Sequence, residues 1–223
     1  MYDDLSKYDV FNASLLVGAD YAGDLEFPVI RPTSYIPTGL EPFTHARAHR
    51  AGLERKCIHF FEHDVKFRCV WRTPWRYLEL FKSAEGVIGP DFSMYRNMPE
   101  AMQMWDCFKS RAITYWLQRE EVETIPNVRV FDERCLPWVF KGPPRHSVVA
   151  ISTAGCCKHP DDRAHLKMAV GATLESLSPT AIIVNGSAPD EIFGAARVAG
   201  VQVVAFEDQF SKTHRKAASH GHR

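Results

Sequence analysis

The sequence predicts an α/β fold in which a mostly parallel sheet of about six strands carries flanking helices, as an open three-layer sheet or a partial barrel, behind an extended proline-rich arm. Three observations predict it. Several short runs, among them residues 86–89 and 181–184, are apolar throughout rather than alternating, the mark of strands buried on both faces. The stretches between them place apolar residues three and four apart, the helical period. Most apolar runs also end in a small polar group, as strands do where they leave a core.

Residues 1–55 are expected to form the arm, because Pro28, Pro32, Pro37 and Pro42 recur at turn-like intervals and each removes a backbone donor. A single α/β domain is expected over residues 56–210. Its first strand is residues 57–61, followed by a short helix over 75–81 introduced by Pro74 and a strand over 86–89. Residues 98–119 give the clearest helix, with Ala101, Met104, Trp105, Phe108, Ala112, Tyr115 and Trp116 on one stripe. Strands are expected at 122–130, 147–152, 180–184 and 201–206, and helices at 163–177 and 189–199, the last stopped by Gly200. Residues 211–223 lack apolar anchors and carry Lys212, Arg215 and Lys216, so a disordered basic tail is expected there.

A chain of 223 residues suits one large domain, and its 45% hydrophobic content is too apolar for intrinsic disorder. The 27 Lys and Arg balance the 27 Asp and Glu, so a nucleic-acid partner would need a local patch rather than a global field. No apolar run reaches the roughly 20 residues of a membrane span, and the Met1-Tyr2-Asp3-Asp4 start is acidic where a secretory signal is basic. A cytoplasmic protein without a membrane partner is expected. The six cysteines are scattered, with no Cys-x-x-Cys pair, and read as buried free thiols.

The polar groups at strand ends outline a candidate site, since the C-terminal ends of parallel strands share one edge where ligands bind. The competing reading is that the same residues cap helices and turns. Asp64 and Asp91 are the candidate catalytic carboxylates, as an acid/base pair or a nucleophile with its helper. Arg111, Asn127 and Arg129 are the candidate substrate-binding residues, a guanidinium being suited to phosphate or carboxylate. For the two arginines the alternative is an internal ion pair with Asp91 or Asp106. Ser152 and Thr153 join them because Ser152-Thr153-Ala154-Gly155 follows a strand and precedes a helix, where backbone amides cradle anions. The loop lacks the glycine patterns of dinucleotide and triphosphate sites, so the cofactor is unknown. No metal site is assigned, although His63, Asp64, Asp91 and His159 define a metal-dependent hydrolase as one alternative.

A further pattern lies outside these strand ends. Arg47, Arg50, Arg55 and Lys56 surround His45 and His49, a basic cluster suited to phosphate contacts, against a merely solvated surface as the alternative. Trp71, Trp75, Tyr77 and Trp138 would stack on bases if exposed and pack in the core otherwise.

Five ordered segments resemble a family of phage and mobile-element proteins catalogued as domain of unknown function 4417. They are His59-Phe60-Phe61-Glu62-His63-Asp64, Trp71-x-x-Pro74-x-x-Tyr77, Gly89-Pro90-Asp91-Phe92-Ser93, Ile125-Pro126-Asn127-Val128-Arg129 and Ile151-Ser152-Thr153-Ala154-Gly155-Cys156. The resemblance implies a phage or mobile-element setting in a host cytoplasm and supplies no activity. Joined to the strand-end residues, it leads to the expectation of an enzyme acting on a nucleotide or nucleic acid. The rival expectation is a non-catalytic protein that engages DNA or a host protein through residues 1–55.

Overall fold

A computed structural model describes residues 9–155, 157 and 159–208. The chain enters through a 3-10 turn, Ala13–Leu16, and a short antiparallel hairpin, β1 (Tyr21–Ala22) and β2 (Phe27–Pro28). Residues 29–39 then cross beneath the sheet. Thr33 exchanges hydrogen bonds with Ser147, its carbonyl also receives the Val148 amide, and Thr38 Oγ1 donates to the Arg55 carbonyl.

Seven parallel strands follow in alternation with helices: β3 (Leu40–Pro42), α1 (Phe43–Ala48), β4 (Cys57–His59), α2 (Asp64–Arg72), α3 (Leu78–Lys82), β5 (Gly86–Ile88), α4 (Glu100–Arg119) and β6 (Thr124–Ile125). After them come α5 (Leu136–Val139), β7 (Val148–Ser152), α6 (Pro160–Leu177), β8 (Ala181–Asn185), α7 (Asp190–Val198) and β9 (Gln202–Phe206). Strands β3 to β6 form one parallel ladder and β7 to β9 another, each in chain order. A parallel bridge between Asn127 and Ala150 joins them, with Val128 N donating to Ala150 O at 2.8 Å and Ala150 N to Pro126 O at 3.0 Å.

Right-handed crossovers between strands laid down in chain order bring every helix to the same face. The packing follows this rule. Ile58 and Val87 face Phe67, Phe81 and Ile113, and Val149, Ile182 and Val184 face Val170 and Phe193. The other face carries Leu40, Cys57, Ile88, Ile125, Val148, Ala150, Ala181 and Ile183, with Tyr35 and Ile36 at its lower rim and no helical residue in the cluster. An open sheet with helices on both faces needs a reversal of strand order, and none occurs among the described strands.

The helix boundaries have local causes. Pro99 precedes α4, Glu100 lies in its first turn and Arg119 in its last, which suits the helix dipole. α6 starts on Pro160 with Asp161 and Asp162 behind it. Buried α4 residues such as Ile113, Trp116 and Leu117 each contribute roughly 1.5–3 kcal/mol of apolar burial.

Two expectations need correction. The parallel strands number seven among the described residues, not about six, and the unexpected one, β3, lies inside the segment read as arm. Pro42 disguised it, yet a proline is tolerated in an edge strand, and among the described residues β3 pairs only with β4. Residues 1–55 are therefore not an extended arm throughout: β3 and α1 are a strand and helix of the main fold. The strand expected over 122–130 shortens to Thr124–Ile125 and the Asn127 bridge. Helix α2 was not anticipated, because only Phe67 and Val70 are buried among alternating charges. The expected tail at 211–223 lies outside the described residues.

Candidate functional site

The predicted site residues emerge at the C-terminal ends of successive parallel strands, and the fold distributes them over three hydrogen-bonded groups. Asp91 follows β5, and Asn127 and Arg129 follow β6. Asp91 is 7% exposed; its Oδ1 accepts Asn127 Nδ2 at 2.8 Å and its Oδ2 accepts Arg129 Nη1 at 2.6 Å. The Arg129 side chain is 35% exposed, so the pair bridges core and surface. Arg111 comes from α4 and is 1% exposed. Its Nη1 donates to Asn127 O at 2.6 Å and its Nη2 to Val139 O at 3.1 Å, which ties α4 to β6 and α5. One network thus contains Arg111, Asn127, Asp91 and Arg129.

Asp64 opens α2 and has other bonds. Its carboxylate accepts the Ser93 hydroxyl at 2.7 Å and the Ser93 amide at 3.0 Å, which holds the loop after β5. Ser152 and Thr153 form the third group at the ends of β7 and β8. Asn185 Nδ2 donates to Ser152 Oγ at 3.2 Å, Thr153 N to Asn185 O at 2.9 Å, and Thr153 Oγ1 to Ser187 O at 2.7 Å. The following turn needs Gly186: its φ is +117°, and a Cβ there would lie 2.5 Å from Thr153 Oγ1.

Two further residues belong beside this edge. On α4, Asp106 and Lys109 pair at 2.5 Å, and Lys109 Nζ lies 4.3 Å from the centre of the Phe92 ring. Burial raises the Asp106 carboxyl above its ordinary range; Lys109 opposes the shift and the negative charge of Asp64 adds to it. The acid suggested as a partner for Arg111 therefore belongs to Lys109. The i, i+3 spacing of Asp106 and Lys109 was the available signal. His59, buried on β4, is another residue absent from the candidates; its Nδ1 accepts the Phe61 amide at 3.2 Å and its ring stacks on Phe61.

The space between Phe92, Cys107, Ser110, Arg111 and Asn127 is about 10 Å³, about the least that holds one water. Ser110 Oγ, Arg111 Nε and Asn127 Oδ1 are buried there without a protein partner, a set of polar atoms that one water can serve. A larger open groove of about 530 Å³ lies beside α6, lined by Arg96, Asp132, Arg134, Asp161 and His165. Its charges largely satisfy one another. Arg134 pairs with Asp132 at 2.6 Å and Arg96 with Asp162 at 3.2 Å, and despite opposing partial burial the Asp132 carboxyl is lowered by Arg134. Among the described residues, no three His, Cys, Asp or Glu side chains gather as a metal would require, so His63, Asp64, Asp91 and His159 are not brought into one site.

Comparison with known proteins adds a family to this geometry. The family described as "Domain of unknown function (DUF4417)" matches residues 19–206. The chain is similar to the "Gene 1 protein" of Mycobacterium phage D29, at 30% identity over 182 residues that make up 81% of this chain and 66% of that protein. It is similar to the same extent to the "Gene 1 protein" of Mycobacterium phage L5, where the matched residues are 78% of the relative. The match thus spans just under two thirds of the D29 protein. No solved structure matches the chain.

Proposed function

The chain belongs to the family of domain of unknown function DUF4417, with relatives in mycobacteriophages, and from that premise we propose that it binds and acts on a phosphorylated ligand, a nucleotide or nucleic acid, at the C-terminal strand edge. The carrying observation is the composition of the Asp91 network. Arg129 pairs with Asp91, whereas buried Arg111 bonds to the Asn127 and Val139 carbonyls and has no carboxylate partner among the described residues, so its positive charge is not cancelled where the strands end. Phosphate suits such a place, because a fixed guanidinium offers paired donors to a tetrahedral anion.

In this reading Arg129 contacts the ligand from its half-buried position. Asp91, Asn127 and Arg111 hold it in place, and Ser152 and Thr153 flank the site as the next polar turn along the strand edge. Asp64 is the partly exposed carboxylate with acid/base work in reach, and Asp91 fixes the guanidinium that orients the anion. The host cytoplasm is the proposed place of action.

The one-water volume behind Arg129 favours a second reading, a non-catalytic binder of DNA or of a host protein, because no substrate can enter that space as it stands. Calorimetric titration with inorganic phosphate, nucleoside monophosphate and nucleoside triphosphate tests the first reading. Binding that is weakened at least tenfold by Arg129→Ala is expected. If none of these ligands binds the folded wild-type protein, the strand-edge reading fails.

A further inference from the structure

The balanced charge of this chain conceals a strongly basic sector. Nine of its 27 Lys and Arg, but only four of its 27 Asp and Glu, lie between residues 45 and 82. The fold brings three elements of this sector together. α1 packs on α2, and α2 on the 3-10 turn Pro74–Tyr77. The seam is specific: Arg47 Nη1 lies 3.8 Å from Cys69 Sγ, and the Arg47 guanidinium sits over the Phe43 ring. Three elements thereby present adjoining outer faces.

These elements carry exposed Arg47, Arg68, Arg72 and Arg76, and Arg50 follows α1; none of the five forms an ion pair with a carboxylate among the described residues. Trp75, next to Arg76 in the same 3-10 turn, is 51% exposed, although indole usually packs inside. An array of unpaired guanidiniums repels itself and is stabilised by a polyanion that releases condensed counterions. An exposed indole next to one of them in the chain offers a flat face on which an unpaired base stacks. A lipid surface is the less suitable polyanion, since guanidinium forks match phosphodiesters and a single indole gives little insertion into a bilayer.

We infer that the α1–α2–Pro74–Tyr77 face is a docking surface for single-stranded nucleic acid, with Arg47, Arg68, Arg72 and Arg76 on phosphates and Trp75 stacked on a base. This face lies outside the Asp91 network and does not depend on the reading given to it.

Fluorescence anisotropy of a labelled oligothymidylate, titrated with the full chain over a range of salt concentrations, tests the inference. Binding should weaken with salt, and combined Arg68→Ala, Arg72→Ala and Arg76→Ala substitution should flatten the log–log salt slope by about 2, at roughly 0.7 per lost phosphate contact. Trp75→Ala should weaken binding roughly tenfold with the salt slope unchanged, the result of a lost stack rather than a lost charge. Inorganic phosphate, too small to reach the stacked base, reads the strand edge alone in a separate calorimetric titration, so failure there and failure of oligothymidylate binding on this face are separable. All four changed side chains are exposed, and circular dichroism would confirm that the variants fold. The inference is overturned if the wild-type chain does not bind oligothymidylate, if the Arg and Trp75 variants bind as wild type does, or if only phosphatidylserine vesicles are bound.

Discussion

The Asp91 carboxylate receives the Asn127 side-chain amide at 2.8 Å, and the backbone carbonyl of the same asparagine receives Arg111 at 2.6 Å. Asn127 therefore relays between a buried acid and a buried base that do not need to touch. Its backbone also makes the bridge to Ala150 that joins the two parallel ladders, so this residue sits where the polar network and the sheet junction coincide.

Asp91→Ala should destabilise the protein by about 3 kcal/mol, because it leaves the Asn127 amide and the inner end of Arg129 without their acceptor. Asp91→Asn keeps one acceptor oxygen and should lose less. Urea unfolding of the two variants measures this, and equal losses would show that the charge rather than the acceptor geometry matters.

Arg111→Lys preserves charge but loses the fork that reaches two carbonyls. A loss of about 1–3 kcal/mol is expected from the abandoned Val139 or Asn127 carbonyl. Thermal unfolding would report it. A Tm equal to wild type would mean that one ammonium serves both carbonyls.

The pH behaviour of Asp106 follows from its surroundings. Its pKa is raised above the ordinary 3.8, chiefly by burial, with Asp64 adding repulsion. Between 3.8 and the raised value the native chain keeps a proton that the unfolded chain has lost, so this group makes stability fall as pH rises through that window. Asp64→Asn removes the like charge and should move Asp106 downward without returning it to 3.8, because burial remains. Carboxyl carbon NMR titration measures the change, and an upward movement would contradict the assigned cause.

Gly186→Ala and Gly155→Ala both put a side chain at positive φ, +117° and +80°, but their surroundings differ. Nothing lies within 4 Å of a Cβ at position 155, whereas one at 186 meets Thr153 Oγ1 at 2.5 Å and Ala154 N at 3.1 Å. The cost at 155 should be about 1 kcal/mol from backbone strain alone, and that at 186 greater. Denaturant midpoints of the two variants give the order, and a reversed order would mean that the Thr153 turn yields freely.

The fold was legible wherever a residue's role depends on its own neighbours in the chain. Helices α4, α6 and α7 were readable from apolar spacing and flanking proline or glycine, and β7, β8 and β9 from runs of Val, Ile and Ala. Strand β3 was hidden because Pro42 denotes a loop in isolation and becomes acceptable only once it lies on a sheet edge. Helix α2 was hidden because two buried side chains leave little period to detect.

The site was legible as a set of residue types and not as a set of partners. A charged group at the end of an apolar run signals a strand end, and Asp64, Asp91 and Arg129 all carried that signal. Their assortment did not follow from it. Asp64 binds Ser93, Arg129 binds Asp91, and Asp106 goes to Lys109 instead of Arg111.

By itself the sequence determined the α/β class, most of the element order, the family and the basic sector around Arg47, since periodicity, charge density and motif are properties of neighbouring residues. Only the tertiary structure decided that the strands keep chain order, that Asp91 and Arg129 meet across 38 residues, and that Arg111 is buried against two carbonyls. The reason is register: which polar end meets which depends on the alignment of parallel strands, and that alignment is set by packing across the whole sheet rather than by any one segment.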